Sequence, residues 1–284
     1  MRPELMSNAK LRQRFLRESR AAARLNHPCI VRVLEASEST TAIWQVCDLV
    51  EGAPLSAHLQ ETRLDVATAV RIVRDLADAI SHAHACNVLH RDIKPDNILL
   101  NCHPNEHLEL ATARLTDFGL ARIMDYDSSQ ASQMGLLVGT PRYMSPEQLT
   151  GNVEEHGVGT DIYALGIILF EILTGKCPFE GSSTISQRIA SLAPPIRSMH
   201  EIVPSIPKDL ASIVTKCMEY RIEDRYASAA ALRDDLDRFL RGEPTHARPY
   251  PFHERLTRWV TRNRALSSSL AILAVSSILV LGLT

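Results

Sequence analysis

No glycine precedes Gly52, and none follows it until Gly119. The chain opens without a glycine turn, directly on the arginine-rich stretch MRPELMSNAKLRQRFLRESRAAARLNHPCIV. Paired cysteines are missing too: Cys29, Cys47, Cys86, Cys102, Cys177 and Cys217 are scattered, with no Cys-x-x-Cys among them. That spacing argues against a disulfide framework and a zinc site, and suits a reducing cytosol. Cys102, His103 and His107 come nearest to a ligand cluster, but with no second cluster to complete a site they read as a solvated loop. Neither sign of charge is in excess. A net charge of -2 and a pI of about 6.6 give no basis for bulk nucleic-acid binding. The N-terminus also lacks the basic start and apolar core of a signal peptide.

Uncharged runs are scarce until the far end, where residues 265–284 read ALSSSLAILAVSSILVLGLT. Twenty residues at ~1.5 Å each match the thickness of a bilayer core. Arg255, Arg258, Arg262 and Arg264 precede the run, with Tyr250, Phe252 and Trp259 as interfacial anchors. An arginine-rich flank predicts a single span with the preceding chain on the cytoplasmic side. A buried helix is the alternative, and five serines lower the hydropathy, but a core helix rarely follows a basic, proline-containing linker.

What is present between the ends is mainly helical pattern. CIVRVLEAS and TAIWQVCDLV predict two strands joined by the polar turn ESTT. Asp65 predicts the cap of a helix running to about Cys86, since Val66, Val70, Val73, Leu76, Ala77 and Ile80 recur at helical spacing. A second apolar helix is predicted over Thr160–Leu173 with Gly175 as its C-cap. Amphipathic helices follow at about Lys208–Tyr220 and Ser228–Leu240, and Gly-Glu-Pro at 242–244 starts a linker. The prediction is one mainly helical domain with a small β element at its N-terminal edge.

The chemistry is concentrated in HRDIKPDNILL, residues 90–100, where carboxylates, an amide and a lysine crowd a loop between a helix and an apolar strand. LTDFGLAR, GTPRYMSPE and TDIYALGIILFEILTGKCPF follow in that order. A lone His-Arg-Asp is usually a surface turn. The full series at these spacings is far more specific.

These residues resemble a eukaryotic-type serine/threonine protein kinase in the style of bacterial receptor kinases, from the first helix to about residue 242. The resemblance implies an α+β, protein kinase-like fold. Residues 1–51 would form a partial small lobe (the family's regulatory helix, two strands and the hinge), and 52–243 a complete, mainly helical large lobe. A basic juxtamembrane linker, 244–264, and a transmembrane helix, 265–284, would follow. It implies ATP and Mg²⁺ as cofactors, protein serine and threonine hydroxyls as substrates, and membrane-linked signalling. Homodimerisation is implied by analogy alone. Asp92 would accept the proton of the substrate hydroxyl, Asn97 and Asp117 would hold Mg²⁺, and Lys94 would stabilise the transferring phosphate. The Asp48 carbonyl and Val50 amide would face the adenine edge, with Cys47 at the gatekeeper position.

His90, Phe118 and Gly119 complete the family's motifs. Arg91 would pair with a phosphate on the segment 117–147, where Ser128, Ser129 and Ser132 are candidates. Thr140 would face the Asp92–Lys94 pair. Glu147, in Ser-Pro-Glu where the family usually has Ala-Pro-Glu, would pair with Arg225. Asp161 would brace the backbone of the catalytic loop, although an ordinary acid at a helix N-terminus is the bland alternative.

Glu18 takes the place of the regulatory-helix glutamate, whose family partner is a strand lysine on the α- and β-phosphates. The only lysine before Lys94 is Lys10, too close to Glu18 for that strand, and the glycine-rich loop has no counterpart. Two readings follow. In one the sequence is an N-terminally truncated, membrane-anchored kinase. In the other it is a pseudokinase or scaffold that binds partners without turnover. The intact Asp92, Asn97 and Asp117 favour the first.

Overall fold

The structure, a computed structural model, describes residues 9–39, 42–61, 64–102, 111–118, 141–179 and 199–248. Helix α1 (Ala9–Ala22) buries Phe15, Ser19 and Ala22, one stripe at helical spacing, and leaves Arg17 and Arg20 to solvent. Strands β1 (Val33–Glu38) and β2 (Ile43–Cys47) pair antiparallel, with Glu38 opposite Ile43 and Val33 opposite Cys47. This is the two-stranded element the alternating pattern predicts. Leu34, Trp44 and Val46 of these strands, and Leu49 beyond them, are exposed.

The sequence pattern missed a second sheet. Strands β3 (Ala53–Pro54), β4 (Ile98–Asn101) and β5 (Thr112–Leu115) form an antiparallel sheet in the order β3-β4-β5. The apolar strand predicted after the loop at 90–97 is β4, but its partners were not predicted, because β3 is two residues long and β5 too short to show alternation. Gly52 makes the approach to β3 possible: at φ 155° its Cα faces the Leu100 carbonyl, where a Cβ would lie 1.9 Å from the oxygen. The N-terminal part joins this sheet through Leu115, whose N–H donates to Cys29 O (2.8 Å) and whose carbonyl accepts from Val31 N (2.9 Å).

Helix α2 (Leu55–Glu61) leads into α3 (Val66–Ala85), where Asp65 Oδ1 caps by accepting from Ala67 N (2.9 Å) and Thr68 N (3.1 Å). Short helix α4 (Pro146–Leu149) precedes α5 (Val158–Thr174), which is buried along nearly its whole length and ends on Gly175 at φ 69°. The chain continues through α6 (Met199–Ile202), α7 (Lys208–Cys217) and α8 (Ala229–Leu240). Helices α3 and α5 form the centre of the core, with α8 against α3 and α7 against α5. Gly166 of α5 allows the closest approach, since a Cβ there would meet Cys217 Cβ at 2.5 Å.

Helix α7 stops at Cys217, three residues short of the predicted Tyr220. Beyond it Arg225 takes up the following carbonyls, its Nε donating to Glu219 O (2.8 Å) and Nη2 to Tyr220 O (3.1 Å). Among the described residues no helix is long and apolar enough to cross a membrane. The predicted span 265–284 and all but the first residues of the 244–264 linker lie outside the described residues.

Candidate active site

The loop after α3 is shaped from beneath by one buried carboxylate. Asp161, in the first turn of α5, is wholly buried and accepts from His90 N (3.0 Å), Arg91 N (2.7 Å) and His84 Nε2 (2.8 Å). Burial alone would raise its pKa, but the hydrogen bond and charge of His84 and the Arg91 amide hold it below the ordinary value. These bonds retain Arg91 at φ 66°, a left-handed conformation unusual for a side chain of its size. His84, in the last turn of α3, was missed in the sequence. Its only signal was a polar ring at the end of an apolar helix face.

His90 is fully buried and locks the loop to the chain just after β5. Its Nδ1 accepts from Asp92 N (3.3 Å), so Nε2 carries the proton and donates to Thr116 O (2.8 Å). Phe118 packs on the imidazole, ring centroids 4.6 Å apart. Asp92, Lys94 and Asn97 come together: Lys94 Nζ donates to Asp92 Oδ2 (2.7 Å), and Asn97 Nδ2 donates to Asp92 O (2.8 Å) and Oδ2 (3.1 Å). The 3₁₀ turn Pro95–Asn97 makes this possible by folding Asn97 back over Asp92. Asn97 is buried, and its carbonyl accepts from Thr116 N (3.0 Å), one residue before the exposed Asp117 at φ 64°.

With its amide hydrogens committed to Asp92, Asn97 has its side-chain carbonyl oxygen left to offer. Together with the Asp117 carboxylate, that is oxygen-donor chemistry suited to a hard divalent cation. The Ser-Pro-Glu segment meets the loop from the other side. Gln148 Nε2 donates to Arg91 O (2.8 Å), and Gln148 Oε1 accepts from Ser145 N (3.0 Å) and Oγ (3.2 Å).

Glu147 and Arg225 form a two-pronged ion pair, Nη1–Oε1 and Nη2–Oε2 both at 2.9 Å, sealed from solvent. Thr160 Oγ1 also donates to Glu147 Oε1 (2.9 Å), and Arg225 Nη1 donates to Gly159 O (2.9 Å). Burial raises the Glu147 carboxyl, but Arg225's hydrogen bonds and charge outweigh it and hold the pKa below the ordinary value.

At the other edge, β2 ends on Cys47, whose Sγ accepts from Gln45 Nε2 (3.2 Å), while Gln45 Oε1 accepts from the buried Ser19 Oγ of α1 (2.9 Å). Beyond it Asp48 N donates to Arg32 O (3.0 Å), and among the described residues the Asp48 carbonyl and Val50 N–H have no internal partner. Glu18, beside Ser19, bonds Arg17 Nη2 at 3.2 Å. Gly119, Thr140 and the serines at 128, 129 and 132 lie outside the described residues.

Comparison with known proteins gives one consistent result. The family profile described as "Protein kinase domain" matches residues 3–236. Serine/threonine-protein kinase PknB of Mycobacterium leprae (strain TN) is 34% identical over 255 residues, 87% of this chain and 39% of that protein. Serine/threonine-protein kinase Pkn1 of Myxococcus xanthus is 34% identical over 238 residues, 83% of this chain and 32% of that protein. The chain spans about two-fifths of the length of the curated relatives it matches. Among solved structures, the M. tuberculosis PknI kinase domain superposes with a TM-score of 0.64 at 26% identity, covering 85% of this chain and 83% of that one.

Proposed function

The chain belongs to the protein kinase family, and from that premise we propose that it serves transfer of the ATP γ-phosphate to serine or threonine hydroxyls of proteins. The observation that carries this reading is the Asp92 carboxylate held between Lys94 Nζ (2.7 Å) and Asn97 Nδ2 (3.1 Å). In this role Asp92 orients the substrate hydroxyl and takes its proton, while Lys94 offsets charge on the transferring phosphoryl group. Asn97 and Asp117 would hold Mg²⁺, which would supply neutralisation of phosphate charge. The Asp48 carbonyl and Val50 N–H receive the adenine edge. Asp161, His84 and Gln148 position the loop backbone, and the Glu147–Arg225 pair fixes the segment after the activation loop.

The family's glycine-rich loop and strand lysine have no counterpart in residues 1–51. We propose that sequence encoded upstream of Met1 supplies both, the lysine completing Glu18. In-frame translation of the upstream genomic DNA tests this: glycine-rich strands and an Ala-x-Lys strand support it, and a close stop codon supports the scaffold reading.

The function itself is tested by radiolabelled γ-phosphate transfer to a generic serine/threonine protein substrate, using the chain extended by that upstream sequence. Asp92→Asn is expected to lower the rate by about 10²–10⁴-fold with unchanged circular dichroism. A variant that keeps its activity overturns the assignment. The chain from Met1 alone is expected to transfer little or no phosphate.

The same reading places residues 265–284 across a membrane with the kinase domain on the cytoplasmic face. Resistance of the membrane-bound chain to alkaline carbonate extraction is the expected outcome, and release into the supernatant refutes it.

A further inference from the structure

Helix α7 is two-sided. Leu210, Ile213, Val214 and Cys217 are buried, while Lys208, Ser212 and Lys216 recur every fourth residue on the other face. With Ala211, Thr215, Glu219, Ala247 and Arg248 they line a groove of about 550 Å³, in which Glu219 is the one carboxylate. Among the described residues neither Lys208 nor Lys216 forms an ion pair; the Lys216 ammonium rests over the Tyr226 ring, 4.7 Å from its centroid.

The far wall is rigid because the tail is bolted down. The wholly buried Asp235 accepts from His246 N (2.6 Å), Ala247 N (2.9 Å) and Tyr226 OH (2.7 Å). Arg248 Nη1 pairs with Asp209 Oδ1 at 2.8 Å. These bonds make the chain leave the domain beside the two lysines.

We propose that this face of α7, with the tail at Ala247–Arg248, is a membrane-facing surface that takes the phosphate groups of anionic phospholipids. It rests on the membrane anchoring proposed above. Lipid is favoured by where the chain goes next. Only the 16 residues 249–264 separate the groove from the uncharged run, a reach of at most ~55 Å fully extended. Those residues carry Arg255, Arg258, Arg262 and Arg264 against the single acid Glu254, a net positive charge that an anionic leaflet attracts. Lys208 and Lys216 extend the basic strip from the linker onto the folded domain. The ammonium groups supply donors for phosphate oxygens, and the small Ala211 and Ala247 leave room for them.

The test uses the full chain reconstituted, soluble part outward, in phosphatidylcholine vesicles with or without phosphatidylglycerol. Brief lysine acetylation is then read by mass spectrometry. Lys208 and Lys216 are expected to be protected about tenfold when phosphatidylglycerol is present, with Lys176 unchanged and the protection lost in high salt. Equal labelling in both vesicles, in a chain that resists carbonate, overturns the lipid surface while leaving the anchor standing. A chain that carbonate releases has lost the anchor instead, and the inference falls with it. Equal protection by inorganic phosphate in neutral vesicles also overturns the proposal, in favour of a soluble anion.

Discussion

Arg225 shows how much one side chain can hold: a carboxylate, the carbonyls of Gly159, Glu219 and Tyr220, and a stacking contact with Tyr163 at 4.8 Å. Glu147→Gln leaves that guanidinium buried beside a neutral amide. It is expected to cost about 3–5 kcal/mol, read from urea denaturation midpoints. The pH dependence follows the same groups. Glu147 and Asp161 both have pKa values below the ordinary 4.5 and 3.8. Their contribution is therefore fully present above those ordinary values and is lost as pH falls through the lowered ones. Denaturation midpoints should hold from neutral pH down to about pH 5 and then fall, with a shallower fall in Glu147→Gln.

His84→Leu should act on turnover. With one of its bonds to Asp161 gone, the loop loosens, and kcat is expected to fall about ten- to a hundredfold with KM little changed. The sequence revealed His90, Asp92, Lys94 and Asn97 because they sit within eight residues of each other. It hid His84, Thr160 and Gln148, whose significance lies in partners 77, 13 and 57 residues away.

Long helices and the β1–β2 hairpin were legible and the pairing of the shortest strands was not, for a reason of length. Helix α3 shows its buried stripe over 20 residues, and its cap, Asp65, is a residue whose side chain suits nothing else there. Strand β3 has two residues and pairs with Leu99 and Leu100 across most of the α2–α3 segment, a contact no local pattern encodes. Gly52 is the clue in retrospect. Gly52→Ala drives a methyl group into the Leu100 carbonyl, so a loss of 2 kcal/mol or more, of the order of ~2–3, is expected by thermal or urea unfolding. Gly166→Val should separate α5 from α7 and cost about 1–3 kcal/mol in the same assay.

At the scale of the whole molecule, the described residues share one apolar core, in which Ala22, Leu25, Ile30 and Val33 pack with the second sheet and the helices. The β1–β2 unit is tied to the rest by Leu115, by Asn26 N donating to His82 Nε2 (3.3 Å) and by His27 on Asp78 (3.2 Å). Its exposed Leu34, Trp44, Val46 and Leu49 form apolar surface that a lone chain must keep in water. Self-association above micromolar concentration is expected in sedimentation, relieved by polar replacement of Trp44 and Val46. The arrangement of α3, α5, α7 and α8 follows from their apolar faces. How the β1–β2 unit sits on them rests on a shared core between residues far apart in the chain, among them Leu25, Ile30 and Val33, which composition and periodicity do not report.

The bonds at Asp235 bear on where a gene for a soluble fragment should stop. The last described helix ends at Leu240, the natural place to cut by eye. Stopping there would remove two of the three donors that a fully buried carboxylate accepts, along with Arg248 from Asp209. A fragment ending after Arg248 should purify as a cooperative folder, whereas one ending at Leu240 should melt earlier and lose several kcal/mol, of order ~3. Residues 241–248, after the last described helix, thus belong to the folded body.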